Sequence, residues 1–563
     1  MTIRVSTAQF FSGADVEANL ARCAEVAEQA AEVGADLLVL PENANRVRDY
    51  VSRDDCWKTS ERIDGPFVRG LQDLAREHGI HLVAGVDLAS EQRPDVHIAS
   101  LLIGKDGELL ARVNKHVLWD YEYTLFVPGD EPYAVQDTEL GRLGLLLCAD
   151  GIVPDTPRAL GLHGCQLLCN SLNSRGPDEV RVHVPLRALE NRVWHVSSNT
   201  VGGPTDAWPW MGGSQIVAPD GRVVAQASET DEELIWADVD VAEADDKRSE
   251  LVDDIFAWRR PELYPELVAP LGDVPAHVMH GPAPQDMPRR PLAVALLQVS
   301  YAHSDPFTLT RVAGQIEWAG RQGAQLGVLP ELFAYQLGEV SRDPAAAAAR
   351  APKVIEVVTS AAAAAGMWVA GSTIEQDGRD LFHTAFLVDD TGEVTVSYRK
   401  AHLNRKEQRW ANAGDKLVVV DSPIGRIGLM IGDEVWLPEV ARVLALQGAE
   451  LIAHPCSWDR PEAAYLAATE RTEENRVHLV SAARLDNPAG VGSQIVRANE
   501  FQGGEPIALM RYPTGYWTRP GFEEQLVVEL DLREAHSKMM GHHLDVFATR
   551  VPDLYGILVD ERG

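Results

Sequence analysis

Three polar residues in the first half of the chain each follow an apolar run. Glu42 ends LLVLPE, Lys115 lies in ARVNKHVL, and Cys148 ends GLLLC. A carboxylate, an amine and a thiol can together perform acyl transfer, with the thiol as the nucleophile. Each residue alone also has an ordinary interpretation as a core cysteine or a surface charge. Their shared position after strand-like runs, where side chains collect in α/β folds, favours one common site.

The segments that would position these residues alternate between strand-like and helical patterns. Continuous apolar runs occur at Leu37–Leu40, Leu82–Gly85 and Leu143–Leu147, and helical periodicity occurs at Val16–Gly34 and Phe67–Gly79. Continuous rather than alternating apolar runs indicate strands covered on both faces. The pattern therefore predicts an α/β layered domain.

The chain contains an internal repeat, which predicts two homologous domains. The matching segments are GADLLVLPE and GAQLGVLPE, which end at Glu42 and Glu331; GRLGLLLCAD and GRIGLMIGDE, which start at Gly141 and Gly425; and RRPELY and RVPDLY, which end at Tyr264 and Tyr555. Between the copies, residues 269–290 are rich in proline and lack apolar periodicity, which predicts a semi-extended linker. The predicted domains are therefore residues 1–268 and 291–563.

Composition excludes several classes of function. The net charge of −33 would repel phosphate backbones and anionic membrane surfaces, so nucleic acid is not expected as a partner. No apolar stretch approaches the roughly 20 residues of a membrane helix, and the N-terminus has no signal-peptide pattern. Six scattered cysteines without a CxxC pair indicate a reducing cytoplasm, with no disulfide framework and no zinc site. We expect a soluble cytoplasmic protein that needs no cofactor and no metal.

The motifs in this order resemble the nitrilase superfamily of carbon–nitrogen hydrolases over nearly the whole chain, twice. The residues that carry the resemblance are Pro41–Glu42, Lys115–Leu118, Cys148 with Pro154, Asp155 and Arg158, the pair Glu190–Asn191, and the loop from Gly212 to Gly221. The resemblance implies αββα four-layer sandwich domains that pair through a two-fold interface. For two fused copies it implies an internal pseudo-dimer, and it leaves assembly into a further homo-oligomer open.

The resemblance also implies a role for each residue of the first copy. Glu42 would act as general base and then as acid to the leaving amine, while Cys148 attacks the substrate carbon. Lys115 and the backbone N–H of Ala149 would hold the oxyanion. Glu122, seven positions after Lys115, would orient the lysine and the substrate. The amides of a following helix and the charge of Lys115 would favour the thiolate of Cys148.

The second copy keeps the charged residues and loses the nucleophile. Glu331, Lys400 and Glu407 are retained, and Gly432 stands 284 positions after Cys148. Two residues are conceivable substitutes: Asp433, beside the lost position, and Cys456, after the next strand-like run. Neither occupies the nucleophile's position. Since a small misplacement removes much of a nucleophile's rate, we expect this second site to be inert.

The substrate is constrained only loosely by the sequence. Cys148 is followed by Ala149-Asp150 rather than by the Trp-Glu common in nitrilases, which favours a linear amide over a nitrile. A non-catalytic binding or scaffold protein remains a further alternative. Two sets of residues are candidates for substrate contacts, with core packing or surface exposure as the competing interpretation: Trp208, Trp210 and Met211, and Arg175, Arg181 and His183.

Overall fold

The computed structural model describes residues 1–203, 210–275, 278, 287–498, 514–540 and 543–560. Two compact units are present. Unit 1 comprises the described parts of Met1–Lys247 and Met539–Gly563, and unit 2 those of Arg248–Phe501 and Arg511–Lys538. None of the helices in these ranges is both long and apolar enough to cross a membrane.

Unit 1 contains two six-stranded sheets. The strands of the first sheet are β1 (Thr2–Gln9), β2 (Leu37–Val39), β3 (His81–Ala89), β4 (Val96–Ile103), β5 (Leu109–Asn114) and β14 (Glu233–Asp240), in the order β14-β1-β2-β3-β4-β5. The strands of the second are β6 (Val135–Thr138), β7 (Gly141–Leu147), β8 (Leu167–Ser171), β9 (Trp194–Ser198), β12 (Gln215–Val217) and β13 (Val223–Gln226), in the order β13-β12-β9-β8-β7-β6. A short pair, β10 (Val201–Gly202) and β11 (Trp210–Met211), lies outside both sheets. The centre of each large sheet is parallel and its edges are antiparallel.

Apolar side chains from both sheets meet in a common core, which explains the continuous apolar runs. Val5, Leu37 and Val39 of the first sheet pack in one buried cluster with Leu143 and Leu167 of the second. The outer face of the first sheet is covered by helices, whose apolar residues form a separate cluster with it. The helices of unit 1 are α1 (Val16–Glu32), α2 (Arg53–Thr59), α3 (Pro66–His78), α4 (Asp155–Leu162) and α5 (Val184–Asn191). This arrangement confirms the predicted αββα sandwich.

Local sequence explains where these helices begin and end. Asp15 caps α1 by accepting hydrogen bonds from the backbone N–H groups of Glu17 and Ala18. Pro66 opens α3 at its first position, and Gly79 closes it in the left-handed conformation.

Unit 2 repeats the architecture. Its first sheet contains β15 (Pro291–Gln298), β16 (Leu326–Val328), β17 (Trp368–Asp377), β18 (Asp380–Val388), β19 (Val394–Arg399) and β26 (Glu524–Asp531), in the order β19-β18-β17-β16-β15-β26. Its second sheet contains β20 (Val418–Ser422), β21 (Gly425–Leu429), β22 (Leu451–Cys456), β23 (His478–Ala483), β24 (Gln494–Arg497) and β25 (Thr514–Trp517), paired in that order. The helices are α6 (Asp305–Arg321), α7 (Glu339–Arg342), α8 (Pro344–Ala365), α9 (Pro438–Leu446) and α10 (Ala468–Glu473).

The closing segments of the two copies are exchanged between the compact units. The closing segment of the first copy, from Arg248, belongs to unit 2, where the Tyr264 hydroxyl hydrogen-bonds His402 Nε2 at 2.7 Å. The closing segment of the second copy, from Met539, belongs to unit 1, where the Tyr555 ring stacks on Tyr133 at 6.3 Å. Each compact unit therefore includes chain from both copies.

The domain boundaries inferred from the repeat, residues 1–268 and 291–563, stay a prediction. The compact units are defined by contacts in space and do not test where each sequence copy begins and ends. Within the predicted linker, residues 276–277 and 279–286 lie outside the described residues. The internal pseudo-dimer likewise stays a prediction.

A fragment comprising Met1–Leu267 tests how far unit 1 depends on the exchanged segment. We expect this fragment to aggregate or to self-associate, because it lacks Tyr555 and the turn Gly556–Val559 that packs on α4. Size-exclusion chromatography with light scattering measures the outcome. A soluble, monomeric and fully active fragment would contradict the prediction.

Candidate active site

The three predicted residues emerge from the ends of three strands in unit 1. Glu42 follows β2, Lys115 directly follows β5, and Cys148 directly follows β7. All three side chains are buried, with 0% exposure for Glu42 and Lys115 and 7% for Cys148. A buried charge must find a partner, so the burial of Glu42 and Lys115 requires them to meet.

The backbone around Glu42 is held against the neighbouring strand β3. The Leu40 N–H donates to the Val83 carbonyl at 2.7 Å, and the Gly85 N–H donates to the Pro41 carbonyl at 3.2 Å. A side chain at Gly85 would place its Cβ 2.6 Å from the Glu42 Cα. The glycine therefore allows the close approach that fixes the general-base candidate.

Lys115 joins two carboxylates. Its Nζ donates to Glu42 Oε1 at 2.7 Å and to the two oxygens of Glu122 at 2.9 and 3.2 Å. Glu122 also accepts the Trp119 N–H at 2.7 Å, which fixes the carboxylate at the start of a short helical turn, Asp120–Thr124. The structure therefore brings Glu42, Lys115 and Glu122 together as one buried cluster. Their mutual hydrogen bonds offset the cost of removing the three charges from water.

Asp150 positions the lysine segment, a role that sequence reasoning did not assign to it. Its carboxylate accepts the backbone N–H groups of His116 at 3.1 Å and Val117 at 2.8 Å. Burial raises the pKa of Asp150 to about 6, although these hydrogen bonds and nearby Lys115 lower it. The only sequence signal was its place two residues after Cys148.

Cys148 lies on a strained backbone turn between β7 and the helical turn Cys148–Gly151. Its φ of 44° is in the left-handed region that side chains other than glycine rarely adopt. The Cys148 N–H donates to Asn170 Oδ1 at 3.1 Å, which supports the turn from β8. The turn places Ala149, the predicted oxyanion residue, directly after the thiol.

The expectation of a resting thiolate at Cys148 is wrong. Burial raises the pKa of the thiol to about 12, and the negative charge of Glu42 raises it further, while Lys115 lowers it. The single ammonium is shared by two carboxylates, so its effect on the sulfur is weaker than the combined opposing effects. The thiol is therefore protonated at neutral pH and needs a base during attack.

Arg48 is a member of the cluster that sequence reasoning missed. Its guanidinium forms an ion pair with Glu122, lies 3.9 Å from Glu42 and faces the ring of Tyr121 at 5.7 Å. The side chain is 7% exposed. In the sequence it is one of two arginines in NANRVRDY, and no periodicity distinguishes it from a surface charge.

The residues considered for substrate contacts have different environments. Trp208 lies outside the described residues, whereas the Arg175 guanidinium stacks on the Trp210 ring at 3.9 Å. Arg181 is exposed and pairs with Glu229 at 3.2 Å, and His183 is buried 3.7 Å from Asp178. Met211 pairs with Val201 in the short ribbon of β10 and β11. These environments assign no substrate contact to the five of these residues that the structure describes.

The corresponding site in unit 2 is rearranged around Asp433. Lys400 Nζ donates to the two oxygens of Glu407 at 2.9 and 2.7 Å and to Asp433. Asp433 stands at the position of Ala149 and takes the lysine contact that Glu42 makes in unit 1. Glu331 instead lies 3.8 Å from His383 Nδ1, which also bonds Glu407 at 2.7 Å.

Glu331, His383 and Glu407 place their ligand atoms within 4.8 Å of one another. Three such groups can hold a divalent cation. The Lys400 ammonium already bonds both Glu407 oxygens, so a positive charge stands beside the place that a metal ion would take. The charge of Lys400 therefore disfavours a metal ion at these three groups.

Gly432 occupies the nucleophile position in unit 2 and keeps its backbone conformation, with a φ of 53°. A Cβ added there would lie 2.8 Å from Glu331 Oε2. Cys456 ends β22, is fully buried, and accepts the Glu331 N–H through its backbone carbonyl. Burial raises the pKa of its thiol, so Cys456 is neither at the turn nor activated.

Comparison with known proteins finds one family whose model matches both copies. The sequence profile of the family described as carbon-nitrogen hydrolase matches residues 4–249 and 293–490. A nitrilase of Pyrococcus abyssi is 31% identical over 248 residues, which cover 44% of this chain and 92% of the relative. A deaminated glutathione amidase of Bos taurus is 30% identical over 285 residues, covering 47% and 85%. A solved amidase from Nesterenkonia is 29% identical and covers 44% and 94%, with a TM-score of 0.39.

Alkylation tests the protonation state of Cys148. We expect iodoacetamide to label Cys148 before Cys165 and Cys169, because its exposure is 7% against 1% and 0%. Since a thiol pKa near 12 leaves mostly neutral thiol, the labelling rate should keep rising about tenfold per pH unit between roughly pH 7 and 9. Peptide mass spectrometry gives both order and rate. A plateau in the rate below about pH 8 would instead indicate a low thiol pKa.

Restoring a cysteine in unit 2 tests whether the second site lacks only its nucleophile. In a Cys148→Ala background, we expect Gly432→Cys to remain inactive. The Cβ of the new side chain would lie too close to the Glu331 carboxylate, and the Lys400 ammonium is already bonded to Asp433. Adding Asp433→Ala provides the matched variant without the competing carboxylate. Ammonia release measures activity, and turnover by Gly432→Cys without the Asp433 change would refute this explanation.

Proposed function

Since the chain belongs to the carbon–nitrogen hydrolase family, we propose that its first copy hydrolyses a linear amide to a carboxylic acid and ammonia or an amine. The observation that carries this proposal is the buried contact of Lys115 with Glu42 and Glu122 beside Cys148. A base, a cation and a thiol are thereby held in a site protected from water.

The first half-reaction forms a thioester. The sulfur of Cys148 attacks the amide carbon while its proton passes to Glu42, and the carbonyl π electrons move to oxygen. The Lys115 ammonium and the Ala149 N–H stabilise this oxyanion. When the oxyanion collapses, the C–N bond breaks and Glu42 returns the proton to the leaving nitrogen.

The second half-reaction consumes water. Glu42 takes a proton from a water molecule as its oxygen attacks the thioester carbon, and the same oxyanion contacts stabilise the charge. Collapse breaks the C–S bond, the sulfur regains the proton from Glu42, and the acid leaves. One carboxylate thus serves as base and acid in both halves. Glu122 keeps Lys115 charged and oriented without exchanging protons with the substrate.

Two observations support an amide over a nitrile. The residues after the nucleophile are Ala149 and Asp150, and Asp150 is committed to the backbone of His116 and Val117. One of the similar proteins is named as an amidase. Nitrile hydrolysis to acid and ammonia is the second candidate, favoured by the similarity to a protein named nitrilase.

The second copy would have no chemistry of its own. Gly432 has no attacking atom, and Lys400 is held by Asp433 and Glu407 rather than by the glutamate that corresponds to Glu42. This copy would persist as a structural partner, because its buried charges stabilise one another.

Ammonia release from the purified chain across linear amides, carbamoyl compounds and nitriles tests the proposal. We expect turnover of at least one linear amide and loss of that turnover in Cys148→Ala. Glu42→Gln and Lys115→Ala should each lower kcat by about 10²–10⁴, since they remove the base and the oxyanion contact.

Equivalent changes in the second copy provide matched controls. Glu331→Gln and Lys400→Ala should leave kcat close to the parent value, while Lys400→Ala lowers the free energy of unfolding by about 3–5 kcal/mol by stranding Glu407 and Asp433. Denaturant melts separate the two effects. Nitrile turnover without amide turnover would favour the second candidate, and unchanged activity in Cys148→Ala would refute the assigned nucleophile.

A further inference from the structure

Arg48 has no counterpart in the second copy. Arg48 lies six positions after Glu42, and the residue six positions after the corresponding Glu331 is Leu337. Its side chain is 49% exposed. The buried carboxylates of the second copy therefore lack the guanidinium that pairs with Glu122 in the first.

The backbone confirms that these two positions correspond. Asn43 and Leu332 follow the two glutamates, and both have positive φ, at 58° and 44°. The next turn closes identically, since the Arg46 N–H donates to the Asn43 carbonyl and the Tyr335 N–H to the Leu332 carbonyl. The register is thus fixed up to two residues before Arg48 and Leu337.

The loss of a cation leaves the second cluster with excess negative charge. In the first copy, Glu42 and Glu122 meet two cations, Lys115 and Arg48.

In the second copy, three carboxylates lie around the single ammonium of Lys400: Glu331, Glu407 and Asp433. His383 is a further partner of Glu407. Burial raises the pKa of Glu331 to about 7, and the charges of Glu407 and Asp433 raise it further, while His383 and Lys400 lower it. A further positive charge beside Glu331 would lower this pKa and favour the ionised carboxylate.

A cavity of about 250 Å³ opens directly onto this carboxylate. Its charged lining comprises the carboxylates Glu250, Glu331, Glu407, Asp433 and Asp459, the exposed ammonium of Lys406, and Arg484. Its apolar lining includes Leu332, Leu337 and Trp410. The cavity's arginine, Arg484, is engaged by Asp486 at 2.8 and 2.9 Å and by the Leu332 carbonyl at 2.6 Å. The cavity therefore combines a negative floor with an apolar wall.

We propose that this cavity binds a small organic cation, with a guanidinium or primary ammonium group at Glu331 and a short apolar chain against Leu337 and Trp410. The head group would occupy the place that the side chain of Arg48 takes in the first copy. A guanidinium matches a carboxylate through two parallel hydrogen bonds, and Trp410 adds an aromatic surface beside the cation. The site is separate from the proposed catalytic cysteine and independent of turnover.

Calorimetric titration of the full-length Cys148→Ala chain with butylguanidinium and butylammonium tests the proposal, with butylurea as a neutral compound of similar shape. We expect saturable binding of at least one cation with a Kd of about 0.1 mM or lower, and no saturation with butylurea. Absence of saturable binding by both cations, or equal binding of butylurea, would overturn the proposal.

Two substitutions locate the binding. Leu337→Arg supplies the internal cation found in the first copy and should weaken binding about 100-fold, whereas the neutral Leu337→Gln removes only an apolar contact and should weaken binding by about tenfold or less. Glu331→Gln should weaken binding about tenfold or more through loss of the counter-charge. Because Leu337 is half exposed, thermal melts should show folded protein for both of its variants. Unchanged affinity in Leu337→Arg and Glu331→Gln would place the cation elsewhere and refute the site.

Discussion

The burial of one lysine ammonium between two carboxylates is the constraint on which the first site depends. Lys115 is 0% exposed, and removing its charge from water costs several kcal/mol unless its partners lie at hydrogen-bond distance. Glu42 and Glu122 meet that condition at 2.7 and 2.9 Å. The loop after β2, the end of β5 and the turn Asp120–Thr124 must therefore converge. The bonds of Gly85 and Asp150 to the backbone hold two of these segments in place.

The same constraint explains why the second copy retains charges without a nucleophile. Lys400 is as deeply buried as Lys115, so removing Glu407 or Asp433 would leave an uncompensated charge. Losing the thiol carries no such penalty. The turn needs a positive φ, which glycine adopts more readily than cysteine, so Gly432 relieves backbone strain where Cys148 stores it. Catalysis can thus be lost at this position while the fold is preserved.

The sequence predicted the features that depend on local pattern, and it missed those that depend on which segments meet. Strands β2, β3 and β7 follow apolar runs, and Glu42, Lys115 and Cys148 emerge from strand ends as expected. Arg48 could not be predicted, because its burial arises from Glu122, which is distant in sequence. The thiol pKa was mispredicted because burial and Glu42 outweigh Lys115. The exchange of closing segments could not be predicted either. RRPELY and RVPDLY are so similar that the sequence does not indicate which compact unit each segment joins.

The protonated thiol has a consequence for how the proposed reaction proceeds. Because burial and the charge of Glu42 raise the pKa of the Cys148 thiol, the thiolate is a minor form at neutral pH. Forming the thiolate in a separate step would therefore add to the barrier before any bond to carbon is made. Transfer of the proton to Glu42 during C–S bond formation avoids that separate step, because the developing oxyanion gains the contact with Lys115 as the carboxylate loses its charge. Lys115 then exchanges one anionic partner for another, so the buried site keeps its charge balance throughout the attack. A neutral thiol also reacts more slowly with oxidants than a thiolate, so the raised pKa of Cys148 slows its oxidation.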